Sequence, residues 1–109
     1  MGRLADGWVR EIIAMKPLRD PEGAELNHLV AACKLSGSTV LEIGCGDGAF
    51  TRQYEKMTHR VIGIDPVTSE LKIARRKARS SKTFYLQGQG EQMPFPSQTF
   101  DIAIFASSL

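Results

Sequence analysis

The sequence predicts an α/β fold, a partial doubly wound parallel sheet whose four strands, numbered along the chain, lie in the order 3-2-1-4 behind N-terminal helices. Three observations predict it. From residue 39 onward, short β-branched and apolar runs alternate with segments whose apolar residues recur at helical spacing. A glycine-rich turn follows the first of those runs without a gap, and the second run ends on a single acid, Asp65. The chain has 109 residues, 42% of them hydrophobic, so it can bury roughly two-thirds of its unfolded surface around one modest core but cannot form a large multi-lobed enzyme.

Before residue 39 the pattern is helical. Trp8, Ile12 and Met15 share one face of a predicted first helix, and Pro17 and Pro21 break it. Leu26, Leu29, Val30 and Cys33 place a second helix within residues 22–35, and Ser36-Gly37-Ser38 closes it as a turn. Residues 1–36 are therefore expected to form an N-terminal helical segment and residues 37–109 a mononucleotide-binding half-domain. Within the second part, Thr39-Val40-Leu41-Glu42-Ile43 is a strand of the kind buried on both faces. Phe50, Tyr54 and Met57 mark a short helix, and Val61-Ile62-Gly63-Ile64 a second strand. Thr68 or Ser69 is positioned to cap a third helix carrying Leu71, Ala74 and Ala78, with a cationic C-terminal end. Residues 83–86 and 100–105 supply the third and fourth strands.

The 14 Lys and Arg oppose 12 Asp and Glu, a net charge of +2, and the signs are mostly interspersed, so nothing calls for a nucleic acid or a membrane as partner. The one basic concentration, Lys72 to Lys82, reads as a solvated helix face. Cys33 and Cys45 lack CxxC spacing and a neighbouring His, so no metal site is expected and free thiols in the cytoplasm are. His28 and His59 have no ligand partner at useful spacing.

The informative stretch is Glu42-Ile43-Gly44-Cys45-Gly46-Asp47-Gly48, at the carboxyl end of the first strand, where open α/β sheets bind ligands. Gly44-x-Gly46-x-x-Ala49 satisfies the dinucleotide pattern, so an NAD(P)-binding half-domain stays open. Glu42, however, would sit poorly beside a pyrophosphate and well beside a cation. Asp65 follows Gly46 at about the 20-residue offset at which an acid takes ribose hydroxyls, which either adenosyl cofactor would use.

Val40-Leu41-Glu42-Ile43-Gly44-Cys45-Gly46-Asp47-Gly48 resembles the first motif of class I S-adenosylmethionine-dependent methyltransferases. Val61-Ile62-Gly63-Ile64-Asp65 is similar to that family's second-strand acid motif. Gln92-Met93-Pro94-Phe95-Pro96 through Phe100-Asp101 resembles the stretch before its fourth strand, in the ubiquinone-biosynthesis-like branch. The resemblance covers residues 39–109 and implies a Rossmann-like fold with S-adenosylmethionine as cofactor. Gly44, Cys45 and Gly46 would then meet the methionine moiety through backbone groups, Glu42 would orient that end, Asp65 would hold the ribose, and Pro66 and Val67 would touch the adenine. Gln89, with Gly90 beside it, stands where the family usually has an acid for the adenine amino group, a neutral and weaker acceptor. Ser107 could line the methyl-donor end, and no residue is assigned a catalytic role, since positioning can carry such a transfer. The absence of an Asn-Pro-Pro-Tyr block after the fourth strand argues against adenine or a glutamine amide nitrogen as acceptor, and the near-balanced charge favours a small molecule over a nucleic acid.

The family continues beyond a fourth strand, so the resemblance implies the N-terminal part of a longer domain, or else a cofactor-binding module without its own catalysis. The apolar edge of residues 100–105 is then expected to be covered by a second copy, by the N-terminal helices, or by further chain.

Overall fold

A computed structural model describes residues 9–14, 24–89 and 99–105. Along the chain they form β1 (Glu11–Ala14), α1 (Ala24–Ala32), β2 (Thr39–Ile43), α2 (Ala49–Tyr54) continued by a 3-10 turn (Glu55–Met57), β3 (Arg60–Asp65), α3 (Thr68–Arg76), β4 (Thr83–Gln87) and β5 (Ile102–Phe105). The strands make one five-stranded sheet of order β1-β5-β2-β3-β4, and every pairing in it is parallel. The four strands expected from the sequence take the expected relative order. The chain steps outward from β2 through β3 to β4 and then returns to the other side of β2, so the reversal lies between β2 and β5.

The N-terminal segment departs from expectation. Residues 11–14 form a strand, not a helix, and pair with β5 in the register Ile12 to Ala103 and Ile13 to Ile104. Adjacent β-branched residues suit a pleated edge, and a partner strand with unpaired N–H and C=O groups outweighs a helical spacing carried by three residues. The edge of β5 is therefore taken by the chain's own strand rather than by helices or a second copy. Backbone contacts from Arg10 and Glu11 N–H to the Asp101 carbonyl, 2.8 and 3.1 Å, seat its start. Trp8 and Met15 lie outside the described residues, as does the 92–96 motif.

Strand alternation assigns the two faces. Val40, Val61, Ile102 and Ile104 pack with Leu29 of α1 and Tyr54 of α2, and Leu35 completes this core. Tyr85, on the same face, packs with Leu71 and Ala74 of α3 and with Cys45. All three described helices thus cover one face. The other face carries two in-register apolar rows, Ile12-Ala103-Leu41-Ile62-Phe84 and Ala14-Phe105-Ile43-Ile64-Leu86. Leu41, Ile64 and Ala103 at its centre are fully buried, while Phe84 and Leu86 at the β4 margin are exposed. No described side chain caps α3: its N-cap is Val67, whose N–H is held by Asp65 Oδ1 at 2.9 Å, so neither Thr68 nor Ser69 plays the capping part expected of it.

Candidate cofactor site at the carboxyl ends of the strands

Parallel strands place all their carboxyl ends at one end of the sheet, and the reversal between β2 and β5 opens a crevice there. The turn 44–48 leaves β2 at that point. Gly44, Gly46 and Gly48 all have positive φ. At Gly48, φ is 81°, and a Cβ would stand 2.8 Å from the Tyr85 hydroxyl and 3.2 Å from Ala74 Cβ, so only glycine lets α2 begin this close to β4 and α3.

The turn spends its own donors internally. Gly44 and Cys45 N–H both reach the Ile64 carbonyl, at 2.9 and 3.1 Å, and Gly48 N–H reaches the Cys45 carbonyl at 3.0 Å. Gly46 N–H goes to Asp65 Oδ2 at 2.9 Å, and Ala49 N–H to Asp47 Oδ1 at 3.0 Å. Around it stand the carboxylates of Asp47 and Asp65, and of Glu70, whose Oε1 lies 3.4 Å from where a Cβ on Gly46 would stand. Arg52 on this side donates to the Asp47 carbonyl at 2.8 Å. A turn with four of its five N–H groups paired and carboxylates at its rim attracts cations and offers little to an anion.

The predicted site residues fall into place unevenly. Asp65 ends β3 with both oxygens committed to backbone N–H groups, those of Gly46 and Val67. Pro66 and Val67 follow it and are exposed. The end of β4 is tied to the same corner by Gly88 N–H to the Asp65 carbonyl, 3.2 Å, and Gln87 Nε2 to the Pro66 carbonyl, 3.3 Å, which brings exposed Gln89 alongside. Gly90 and Ser107 lie outside the described residues. Glu42 does not stand at the surface of the crevice: it is fully buried beneath the turn. Its Oε1 accepts from Thr51 Oγ1 at 2.7 Å and Tyr54 OH at 2.5 Å, and its Oε2 is buried with no partner among the described residues. Cys45 is also buried, and burial, then the Glu42 and Asp65 charges, push its thiol up, so it stays protonated and is no nucleophile.

A family profile described as a methyltransferase domain matches residues 41–109. The chain belongs to this methyltransferase domain family. The demethylmenaquinone methyltransferase of Tropheryma whipplei (strain Twist) is 30% identical to it over 111 residues, which take in 98% of this chain and 44% of that protein. A ubiquinone/menaquinone biosynthesis C-methyltransferase from Enterobacter sp. (strain 638) is 38% identical over 72 residues, 60% of this chain and 29% of that protein. Among solved structures, an S-adenosylmethionine dependent methyltransferase from Mesorhizobium loti has the same fold, with a TM-score of 0.69 at 24% identity over 83% of this chain and 41% of that one. The chain spans less than half the length of these relatives.

Three residues of this methyltransferase domain matter more than the sequence suggested. Thr51 and Tyr54, three positions apart on α2, present two hydroxyls to one face and so fix Glu42. Glu70 reads in sequence as a first-turn acid favourable to a helix N-terminus, yet its carboxylate reaches the glycine turn. The spacing of the two hydroxyls was the available signal for the first pair. Among the described residues no group of three or more His, Cys, Asp or Glu could hold a metal ion.

Burial raises the Glu42 carboxyl from 4.5 to about 7, against the lowering effect of the Tyr54 and Thr51 hydrogen bonds. The folded protein therefore binds a proton more tightly than the unfolded chain, so the stability contributed is full below about pH 4.5 and is lost as pH rises through about 7. Glu42→Gln keeps the shape and removes the titration. Urea denaturation at pH 5 and pH 8 is expected to show the variant gaining on the wild type by up to roughly 3 kcal/mol at the higher pH. Parallel pH dependences in the two proteins would contradict a raised Glu42.

Proposed function

We propose that this chain is the cofactor-binding part of an S-adenosylmethionine-dependent methyltransferase that acts on a small-molecule acceptor. The observation that carries the reading is the state of the turn: the N–H groups of Gly44, Cys45, Gly46 and Gly48 are spent on Ile64, Asp65 and Cys45, while Asp65 and Glu70 supply negative charge and Glu42 Oε2 is an unpartnered acceptor beneath. A dinucleotide needs those N–H groups for its pyrophosphate. S-adenosylmethionine has no phosphate and carries a sulfonium and an ammonium, so the residues present fit it.

In this reading Asp65 keeps its two backbone partners and accepts from the ribose hydroxyls with its remaining lone pairs. Pro66 and Val67 offer apolar contact to the adenine, and Gln89 accepts from its amino group. Gly44, Cys45 and Gly46 face the methionine end through their backbone, and Glu42 Oε2 offers that end an unpartnered acceptor from below. When bound, the cofactor brings its own activated methyl group, and the protein contributes position. The acceptor as a small molecule is supported by relatives whose names place them in demethylmenaquinone and ubiquinone methylation. A reducing, cytoplasmic setting is supported by the two free thiols, Cys33 and Cys45. No helix among the described residues is long and apolar enough to cross a membrane.

Thermal denaturation with S-adenosylhomocysteine and with NADH separates this reading from a dinucleotide-binding one. Saturating S-adenosylhomocysteine is expected to raise Tm by about 10 °C or more and NADH to leave it unchanged. Stabilisation by NADH alone would overturn the proposal.

A further inference from the structure

The end of the sheet opposite the cofactor site gathers charge that the sequence had mixed. Three connections meet there: the one entering β2, the 3-10 turn and loop entering β3, and the loop entering β4. His59 N–H to the Ser38 carbonyl, 2.9 Å, joins the first two, and Val61 N–H to the Lys82 carbonyl, 3.1 Å, joins the last two. Lys34, Lys56, Arg60, Lys77, Arg79 and Lys82 project from them, all exposed and none in an ion pair with a described residue. Of the acids at this end, Glu55 is turned inward, buried, and held by Thr83 Oγ1 at 2.7 Å, while Glu11 and Asp101 at the β1/β5 corner pair with Arg10 and leave the six cations unpaired. The macrodipole of α3 accounts for cations in its last turn, but not for Arg60 at a strand start or Lys82 in a turn.

Beside Lys34 and Lys56 an open groove is lined by Val30, Cys33, Lys34, Leu35, Ser36 and Met57. Val30 at 50% and Met57 at 44% exposure stand at its rim, as apolar side chains surrounded by cations. The opposite end holds Asp47, Asp65 and Glu70, so a chain of net charge +2 is divided into a basic pole and an acidic one.

We propose that the basic pole docks on an anionic phospholipid surface. The cations would face the head groups, and Val30 and Met57 would enter the apolar boundary. Exposed apolar side chains ringed by Lys and Arg match an interface that is charged outside and apolar just beneath. A nucleic acid would be expected to find several aromatic side chains interleaved with the cations, and the described residues of this pole, Val30, Lys34 to Ser38, Lys56 to Arg60 and Lys77 to Lys82, include no Phe, Tyr or Trp and a single ring, the imidazole of His59. The docking leaves the cofactor end facing away from the surface and does not depend on which cofactor binds there.

Vesicle co-sedimentation of the whole chain tests it, with phosphatidylcholine vesicles and with phosphatidylcholine mixed with phosphatidylserine. Binding is expected to the anionic vesicles only and to weaken with salt. Each cation near such a surface multiplies partitioning by roughly fivefold, so Lys56→Glu with Lys82→Glu should weaken binding by more than about tenfold. Val30→Ser with Met57→Ser should weaken it severalfold while leaving the salt dependence. All four positions are exposed, so circular dichroism and S-adenosylhomocysteine binding should be unchanged in both variants. No sedimentation with anionic vesicles at low salt, equal binding by the charge-reversed variant, or tighter binding to a DNA duplex than to the vesicles would overturn the proposal.

Discussion

Truncating Tyr54 to alanine is expected to cost about 3–5 kcal/mol, enough to leave a domain of this size close to unfolding. Tyr54 is the largest fully buried side chain of the described structure. Its ring packs against Phe50, with centroids 5.3 Å apart, and against the core shared by α1, α2 and the sheet. Its hydroxyl donates to Glu42, so the truncation opens a cavity and also removes a donor from a buried carboxyl. Tyr54→Phe separates the two effects: it keeps the packing and should cost about 1–2 kcal/mol. Urea denaturation measures both. A Tyr54→Ala variant within about 1 kcal/mol of the wild type would contradict the placement of this side chain.

Asp65→Ala is expected to weaken S-adenosylhomocysteine binding by more than about a hundredfold, on the scale of losing two charge-assisted hydrogen bonds. The same carboxylate anchors Gly46 N–H and Val67 N–H, so the variant should also lose about 1–3 kcal/mol of stability and loosen the turn itself. Asp65→Asn retains one acceptor oxygen and should fall between. Calorimetric titration reads the affinity, and an unchanged dissociation constant in Asp65→Ala would remove this residue from the site.

The strands from β2 onward were legible because each is a β-branched run with its own hydrophobic content, and their relative order follows from alternation with helices. The placement of Asp65 at the end of β3 beside Gly46 was legible from its offset. β1 was not, because its four residues owe their strand conformation to the β5 edge, 91 positions away in the register Ile12 to Ala103, against a local pattern that favours a helix. The burial of Glu42 was not legible for a different reason. Its place before the turn says nothing of depth, but alternation in β2 puts Val40 and Glu42 on the helix-covered face, and Thr51 and Tyr54 then meet it there. Glu70 and the basic pole share one cause: residues distant in sequence are gathered by parallel strands at a common end, and average charge conceals the separation.

The glycine turn is built to recognise a cation, since four of its five N–H groups are paired within the protein and its surroundings are acidic. Calorimetric titration with S-adenosylhomocysteine and with its deaminated analogue, which lacks the amino group but keeps the adenosine and the thioether, tests that claim most directly. The analogue is expected to bind at least about tenfold more weakly. Equal affinity for the two, or tighter binding of the analogue, would contradict it.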